Sequence, residues 1–191
     1  MDLELSNIPF IEILRQYNNR AVIMIERSTE GYFEHNMETI RLLLENDFEG
    51  IYISFQRPFI NVYTMFEQKN IDTSKLLFID AAAALSGEIQ VDDDRCIHIS
   101  EDIEIDELVR AIYTSIPRFQ SKKNFIFIDS LTTIALYKPL SETMRFSEFL
   151  VGLVRKEEKN QISLIFNVAK DLSQKKFIQD VAFRVDEVVS I

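Results

Sequence analysis

The run Phe125-Ile126-Phe127-Ile128 enters Asp129 without any alternation of apolar and polar residues. A strand with one wet face alternates with a period of two. An unbroken run therefore fits a strand covered on both faces, as in a parallel sheet flanked by helices. Its terminal carboxylate would emerge at the carboxyl edge, where open α/β sheets bind their ligands. The plainer alternative is a core strand that simply ends in a polar residue.

Patterning on either side of this run predicts alternating strands and helices, the signature of a parallel α/β sandwich. Ser6 and Pro9 open a short helix carrying Phe10, Ile13 and Leu14, which Asn18 and Asn19 break. Ala21 to Ile25 reads as a first strand, and Tyr32 to Asn46 as a helix with Phe33, Met37, Ile40 and Leu44 on one face. Ile51 to Phe55 is a second strand, and Pro58 precedes a helix through Val62, Met65 and Phe66. A third strand, Leu76 to Ile79, ends at Asp80, and Cys96 to Ile99 suits a short one. Ile105, Leu108, Val109, Ile112, Tyr113 and Ile116 form the clearest helical stripe, with Pro117 just beyond it. Phe146 to Val154 marks a further helix, with Arg155, Lys156 and Lys159 near its negative end. Ile162 to Val168 and Val185 to Val189 complete the strands. With 191 residues and no repeat or linker, one domain over 1–191 is expected.

Charge narrows the function. The chain carries 31 acidic and 21 basic residues, a net −10. Nine of the acids lie between Glu88 and Glu107 against one base, Arg95, so this stretch alone carries −8 and reads as a solvated loop. Lys122 with Lys123 and Lys175 with Lys176 are isolated pairs, read as loop charges. No basic stripe suited to a nucleic acid backbone is present, so a nucleic acid partner is not expected. The single cysteine, Cys96, cannot form an internal disulfide, the start lacks a signal peptide pattern, and no apolar run is long enough for a bilayer. A cytoplasmic protein without a membrane partner is expected. Fifteen phenylalanines and no tryptophan are read as core filling.

The phrase FIDSLT, Phe127 to Thr132, resembles the Walker B strand of RecA-superfamily ATPases, specifically their KaiC-like branch. Other stretches match this family in the same order. Ala21 to Asn46 stands where the family has a strand, a phosphate loop and a helix. IYISFQRP, Ile51 to Pro58, resembles a second strand reading like YVSFEE before a Pro. LLFIDA, Leu76 to Ala81, and the terminal RVDEVVSI match the third and closing strands. The resemblance spans nearly the whole chain and implies a three-layer αβα sandwich, RecA-like, with a mostly parallel sheet. It also implies that Asp129, followed by Ser130, stands where the family holds the Mg²⁺ of its nucleotide.

The site departs from that family. A phosphate loop reads G-x-x-x-x-G-K-[ST]: glycines admit the phosphates to the backbone, Lys neutralises them, and the hydroxyl binds Mg²⁺. The corresponding segment here is Glu26-Arg27-Ser28-Thr29-Glu30-Gly31-Tyr32-Phe33. With Gly31 in the place of the second glycine, Glu26, Tyr32 and Phe33 replace the first glycine, the Lys and the hydroxyl residue. Glu26, Glu30 and Glu34 would surround a triphosphate with carboxylates, each close like-charge pair costing about 1 kcal/mol in water and about 4 at an effective dielectric of 20. The missing Lys removes charge-assisted bonds of about 1.5 to 3 kcal/mol each. The two residues after the SF of the second strand, Glu in KaiC-like ATPases, are Gln56 and Arg57. An amide is no general base, and Arg stays protonated.

Together these features predict a catalytically inactive KaiC/RecA-like domain, a regulatory or interaction protein whose cleft is filled by Tyr32 and Phe33 and which needs no cofactor. Since family members assemble side by side, the resemblance implies a protein partner, a paralogue or a homo-oligomer. The alternative is an unorthodox ATP-binding protein or weak ATPase, with Arg27 substituting for the lost Lys and Asp129 retaining Mg-ATP. Cys96-x-His98 beside Asp92 to Asp94 mixes soft and hard ligands without a second Cys or His pair, so it is not read as a metal site. Nor is Cys96 read as a nucleophile, because no third group orients His98.

Overall fold

The computed structural model describes residues 8–173 and 175–191; Ser6, the expected opening of the first helix, lies outside them. Seven strands form one all-parallel sheet: β1 (Val22–Arg27), β2 (Glu49–Ser54), β3 (Leu76–Asp80), β4 (Cys96–His98), β5 (Lys123–Asp129), β6 (Gln161–Ala169) and β7 (Glu187–Ser190). Their spatial order is β4-β3-β2-β5-β6-β1-β7, with β5 at the centre as its unbroken apolar run requires.

Alternation along each strand sends side chains to two cores. Val22, Met24, Ile126, Ile128, Leu164 and Phe166 face α5 (Ile105–Ser115), α7 (Leu140–Lys156) and α8 (Lys176–Ala182). Ile23, Ile25, Tyr52, Phe78, Phe125 and Phe127 face α1 (Ile8–Gln16), α2 (Tyr32–Glu45) and α3 (Phe59–Gln68). The result is three layers, helix, sheet and helix, as the sequence predicts. Eight of the fifteen phenylalanines fill the second core and three the first, which accounts for most of the compositional skew. Tyr52 stacks on Phe127 with centroids 5.5 Å apart, and Phe66 meets it edge-on at 6.1 Å. Such aromatic pairs add to the area they bury.

Several boundaries differ from the sequence reading. Strand β1 runs on through Glu26 and Arg27, which the patterning leaves in a loop. Strand β7 begins two residues later than expected, at Glu187. On α2, Leu43 is buried and Leu44 only partly so. Lys123 is not a loop charge: it opens β5, and its ammonium donates to the Asn46 carbonyl and lies 5.1 Å from the centre of the Phe48 ring. The acidic stretch is not simply a solvated loop either. It contains β4 and the start of α5, Asp93 pairs with Arg95, and the Glu107 carboxylate accepts from Ser100. Three short helices were not foreseen: α4 (Ala82–Ser86), α6 (Leu131–Tyr137) and α8, each seven residues or fewer.

Gly50 is required by packing. A Cβ at this position would stand 2.3 Å from the Phe125 ring, its register partner on β5. Gly50→Ala is expected to destabilise by about 1 to 3 kcal/mol through overpacking, read as a lower urea midpoint. Gly152 is the contrasting case, helical with open space around its missing Cβ. Gly152→Ala should stabilise by about 0.5 to 1 kcal/mol, read as a higher midpoint.

Candidate functional site

The carboxyl ends of β1, β5 and β6 carry buried polar residues that the rest of the edge is built to satisfy. Asp129 ends β5 with no exposure. Its carboxylate accepts from the Tyr52 hydroxyl and from Asn36 Nδ2, the latter at 3.1 Å. Arg27 ends β1 at 1% exposure, although a buried Arg is rare unless its donors are met. Its Nε donates to Asn167 Oδ1 at 3.2 Å and its Nη2 to the Thr39 hydroxyl, which in turn donates to the His35 carbonyl. Asn167 on β6 bridges the two halves, since its Nδ2 donates to the Ile128 carbonyl at 3.0 Å.

Electrostatics follow burial. Loss of solvent raises the Asp129 carboxyl to about 6, against the opposing influence of the Tyr52 hydrogen bond, the Arg57 and Arg27 charges and the Asn36 amide. The same desolvation lowers the Arg27 guanidinium to about 10. Tyr52 is pushed upward, first by burial and then by the Asp129 charge. Tyr32 shifts in the same direction for the same reasons. Its hydroxyl lies near Asp129 and Ser130 without a hydrogen bond of ordinary geometry.

The remaining predicted residues occupy the rim. Gly31 takes the left-handed conformation, φ 67°, that starts α2. Because β1 extends to Arg27 and α2 begins at Tyr32, only residues 28–31 turn between them. Ser28, Thr29 and Glu30 are exposed, and the Ser28 hydroxyl accepts from the Glu30 N–H. Phe33 is buried beneath the Arg57 guanidinium, which sits 4.5 Å above its ring. Gln56 donates to Ser130 and Thr133 at 3.1 and 3.0 Å. Ser130 joins Asp129 through a cis peptide and caps α6 by accepting from the Thr133 N–H. Glu26 alone stands apart, accepting from Ser190 of β7 at 2.9 Å.

Over this network lies a surface hollow of about 300 Å³, bordered by Thr29, Tyr32, Phe33, Gln56, Arg57 and Ala169 among others. Neither Asp129 nor Arg27 borders it. Sequence reasoning missed Asn36, Thr39, Tyr52 and Asn167, the groups that hold the two buried charges. A signal for them existed: each is a polar residue within an otherwise apolar helix face or strand.

Asp129 sets a pH dependence. With its carboxyl raised from 3.8 to about 6 on folding, the folded state holds a proton that the unfolded chain has released, so stability falls as pH climbs from about 4 through 6. Measured against Asp129→Asn, the wild type should lose on the order of 3 kcal/mol across that window, followed by chemical denaturation at each pH. Tyr52→Phe removes a donor to the carboxylate and should cost about 1 to 3 kcal/mol, more at pH 8 than at pH 5.

No family model and no curated protein sequence matches the chain. Solved structures do. An uncharacterised protein of Pyrococcus horikoshii, in complex with an unknown peptide, superposes with a TM-score of 0.65 at 13% identity, over 94% of this chain and 82% of that one. A KaiC-like protein from Pyrococcus horikoshii gives 0.60 at 13% identity, and the flagellar accessory protein FlaH of Methanocaldococcus jannaschii 0.53 at 14%, each over 90% of this chain and 70% of the other. Identities this low carry the architecture and leave the chemistry to the site. In architecture the chain is a three-layer α/β protein with the RecA-like fold of its KaiC-type neighbours.

Proposed function

We propose that this chain is a catalytically inactive RecA-like domain that works by binding a protein partner, a paralogue or further copies of itself. One observation carries the reading: Arg27, the cation within the segment that replaces the phosphate loop, is buried at 1% exposure, with its guanidinium committed to Asn167 and Thr39. It is therefore not free to neutralise a phosphate.

Three features support the same conclusion. The four-residue turn of 28–31 is too short to wrap a polyphosphate as the longer motif does. Asp129 is enclosed beneath Tyr52, Asn36 and Tyr32 with no exposure, and its carboxylate already accepts from Tyr52 and Asn36. Gln56 spends its amide on Ser130 and Thr133. An interaction role accords with large apolar groups at the surface, among them Leu136 at 75% exposure and Phe183 at 89%. A peptide partner is also in keeping with the peptide held by the Pyrococcus structure of the same fold.

The test is calorimetric titration of ATP with Mg²⁺, beside ADP, at protein concentrations able to detect a Kd of roughly 100 μM. No saturable heat is expected. Saturable binding that disappears in Asp129→Ala would instead establish the alternative, an unorthodox ATP-binding protein in which Arg27 leaves its buried partners.

A further inference from the structure

At the other end of the sheet the β3–β4 register sets Asp80 opposite His98 and Phe78 opposite Cys96. Cys96 and His98, two residues apart on one strand, point to the same face. Asp80 joins them there, and one donor atom from each of the three lies within 4.8 Å of the others. The sequence considers the pair against Asp92 to Asp94; the fold supplies a different carboxylate, from 16 residues before Cys96.

The hydrogen bonding in this cluster is incomplete in an informative way. His98 Nε2 stands 2.8 Å from the Val91 carbonyl, which can only accept, so Nε2 carries the hydrogen. In the neutral ring Nδ1 is then a bare lone pair. It is buried, has no hydrogen-bond partner, and faces Asp80 Oδ2 at 3.3 Å. Two acceptors at that distance repel unless a positive species lies with them. Asp80 is held rigidly: Oδ1 accepts from the Ala82 and Ala83 N–H groups at 2.9 and 3.0 Å, and Oδ2 from Phe59 N–H at 2.9 Å. The imidazole is fixed by Val91 and by edge contact with the Phe59 ring, centroids 6.5 Å apart.

We propose that Asp80, Cys96 and His98 form a binding site for a divalent transition metal of the zinc class. A thiolate, an imidazole and a carboxylate are the donor types zinc takes, and three of them leave one position of a tetrahedron for water or a further ligand. Zinc bonds of about 2.0 to 2.1 Å to nitrogen and oxygen place those two atoms about 3.3 Å apart across a tetrahedral edge, the separation seen here. A histidine that donates its other N–H to a backbone carbonyl, and a carboxylate oriented by backbone amides, are the supports that metal ligands ordinarily receive. Binding releases the Cys96 proton to solvent, and the two anionic ligands then neutralise the ion. The acidic segment around Asp92 and Asp94 draws cations toward this edge. The ion would clip the three-residue edge strand β4 to β3, and the site lies two strands beyond β5, independent of the cleft at Asp129.

Metal-stripped full chain titrated with Co²⁺ tests the site. One equivalent should bind, with the d–d absorption of a tetrahedral ion and a near-ultraviolet thiolate charge-transfer band, and Zn²⁺ should displace it and raise the thermal midpoint. Cys96→Ser should abolish the charge-transfer band, and Cys96→Ser and His98→Gln should each weaken Zn²⁺ by about 10- to 100-fold or more. These two variants are chosen because Asp80→Asn would also disturb the amides of α3 and α4; circular dichroism checks that they fold. Absence of binding, or binding with an octahedral spectrum that Cys96→Ser leaves unchanged, overturns the proposal. So does finding His98 protonated against Asp80 by NMR with Zn²⁺ in excess, since the proton alone would then fill the gap.

Discussion

Two opposite charges, Arg27 and Asp129, are enclosed on strands that flank β6, and the hydrogen bonds that enclose them organise the carboxyl edge of the sheet. Neither touches the other directly. Asn167 stands between, tied to Arg27 and to the backbone of β5, while Thr39 and Asn36 reach down from one face of α2. Leaving any of these groups unpaired in so dry a setting would cost far more than the modest net gain of each bond. The polar set therefore fixes the angle at which α2 meets the sheet, and with it the position of Tyr32 and Phe33 above.

The two cores divide the work differently. The α1–α3 side is rich in aromatic rings, whose planar shapes interlock around Tyr52, so one residue serves the packing through its ring and the polar edge through its hydroxyl. The opposite side relies on aliphatic branches from α5 and α7. Lysine and arginine stems extend this economy to the rim, as where Arg57 covers Phe33 and Lys123 covers Phe48.

Much of the architecture was legible because a strand buried on both faces leaves a plain mark, and β5 supplied it. The long helices were equally plain: Ile105, Leu108, Ile112 and Ile116 are buried as their spacing requires, although Tyr113 of the same stripe is 54% exposed. The helices α4, α6 and α8 escaped because five to seven residues hold too few turns for a period to register. At the site, the replaced Lys and glycine could be read directly, but the fate of Arg27 could not. A charged residue after an apolar run looks like the start of a loop, and only the distant Asn167 and Thr39 make it the end of a strand. Likewise Cys96 and His98 were visible as a pair, whereas the carboxylate beside them depends on the register between two strands.

Among the described residues the sheet is open at both ends, yet its border strands are only three and four residues long. An exposed strand edge is a template on which other chains can add, and its danger grows with its length. Here each border exposes few amide and carbonyl groups, and it does so on a chain of net negative charge. Edge-to-edge pairing with another chain thus begins at a disadvantage on both flanks.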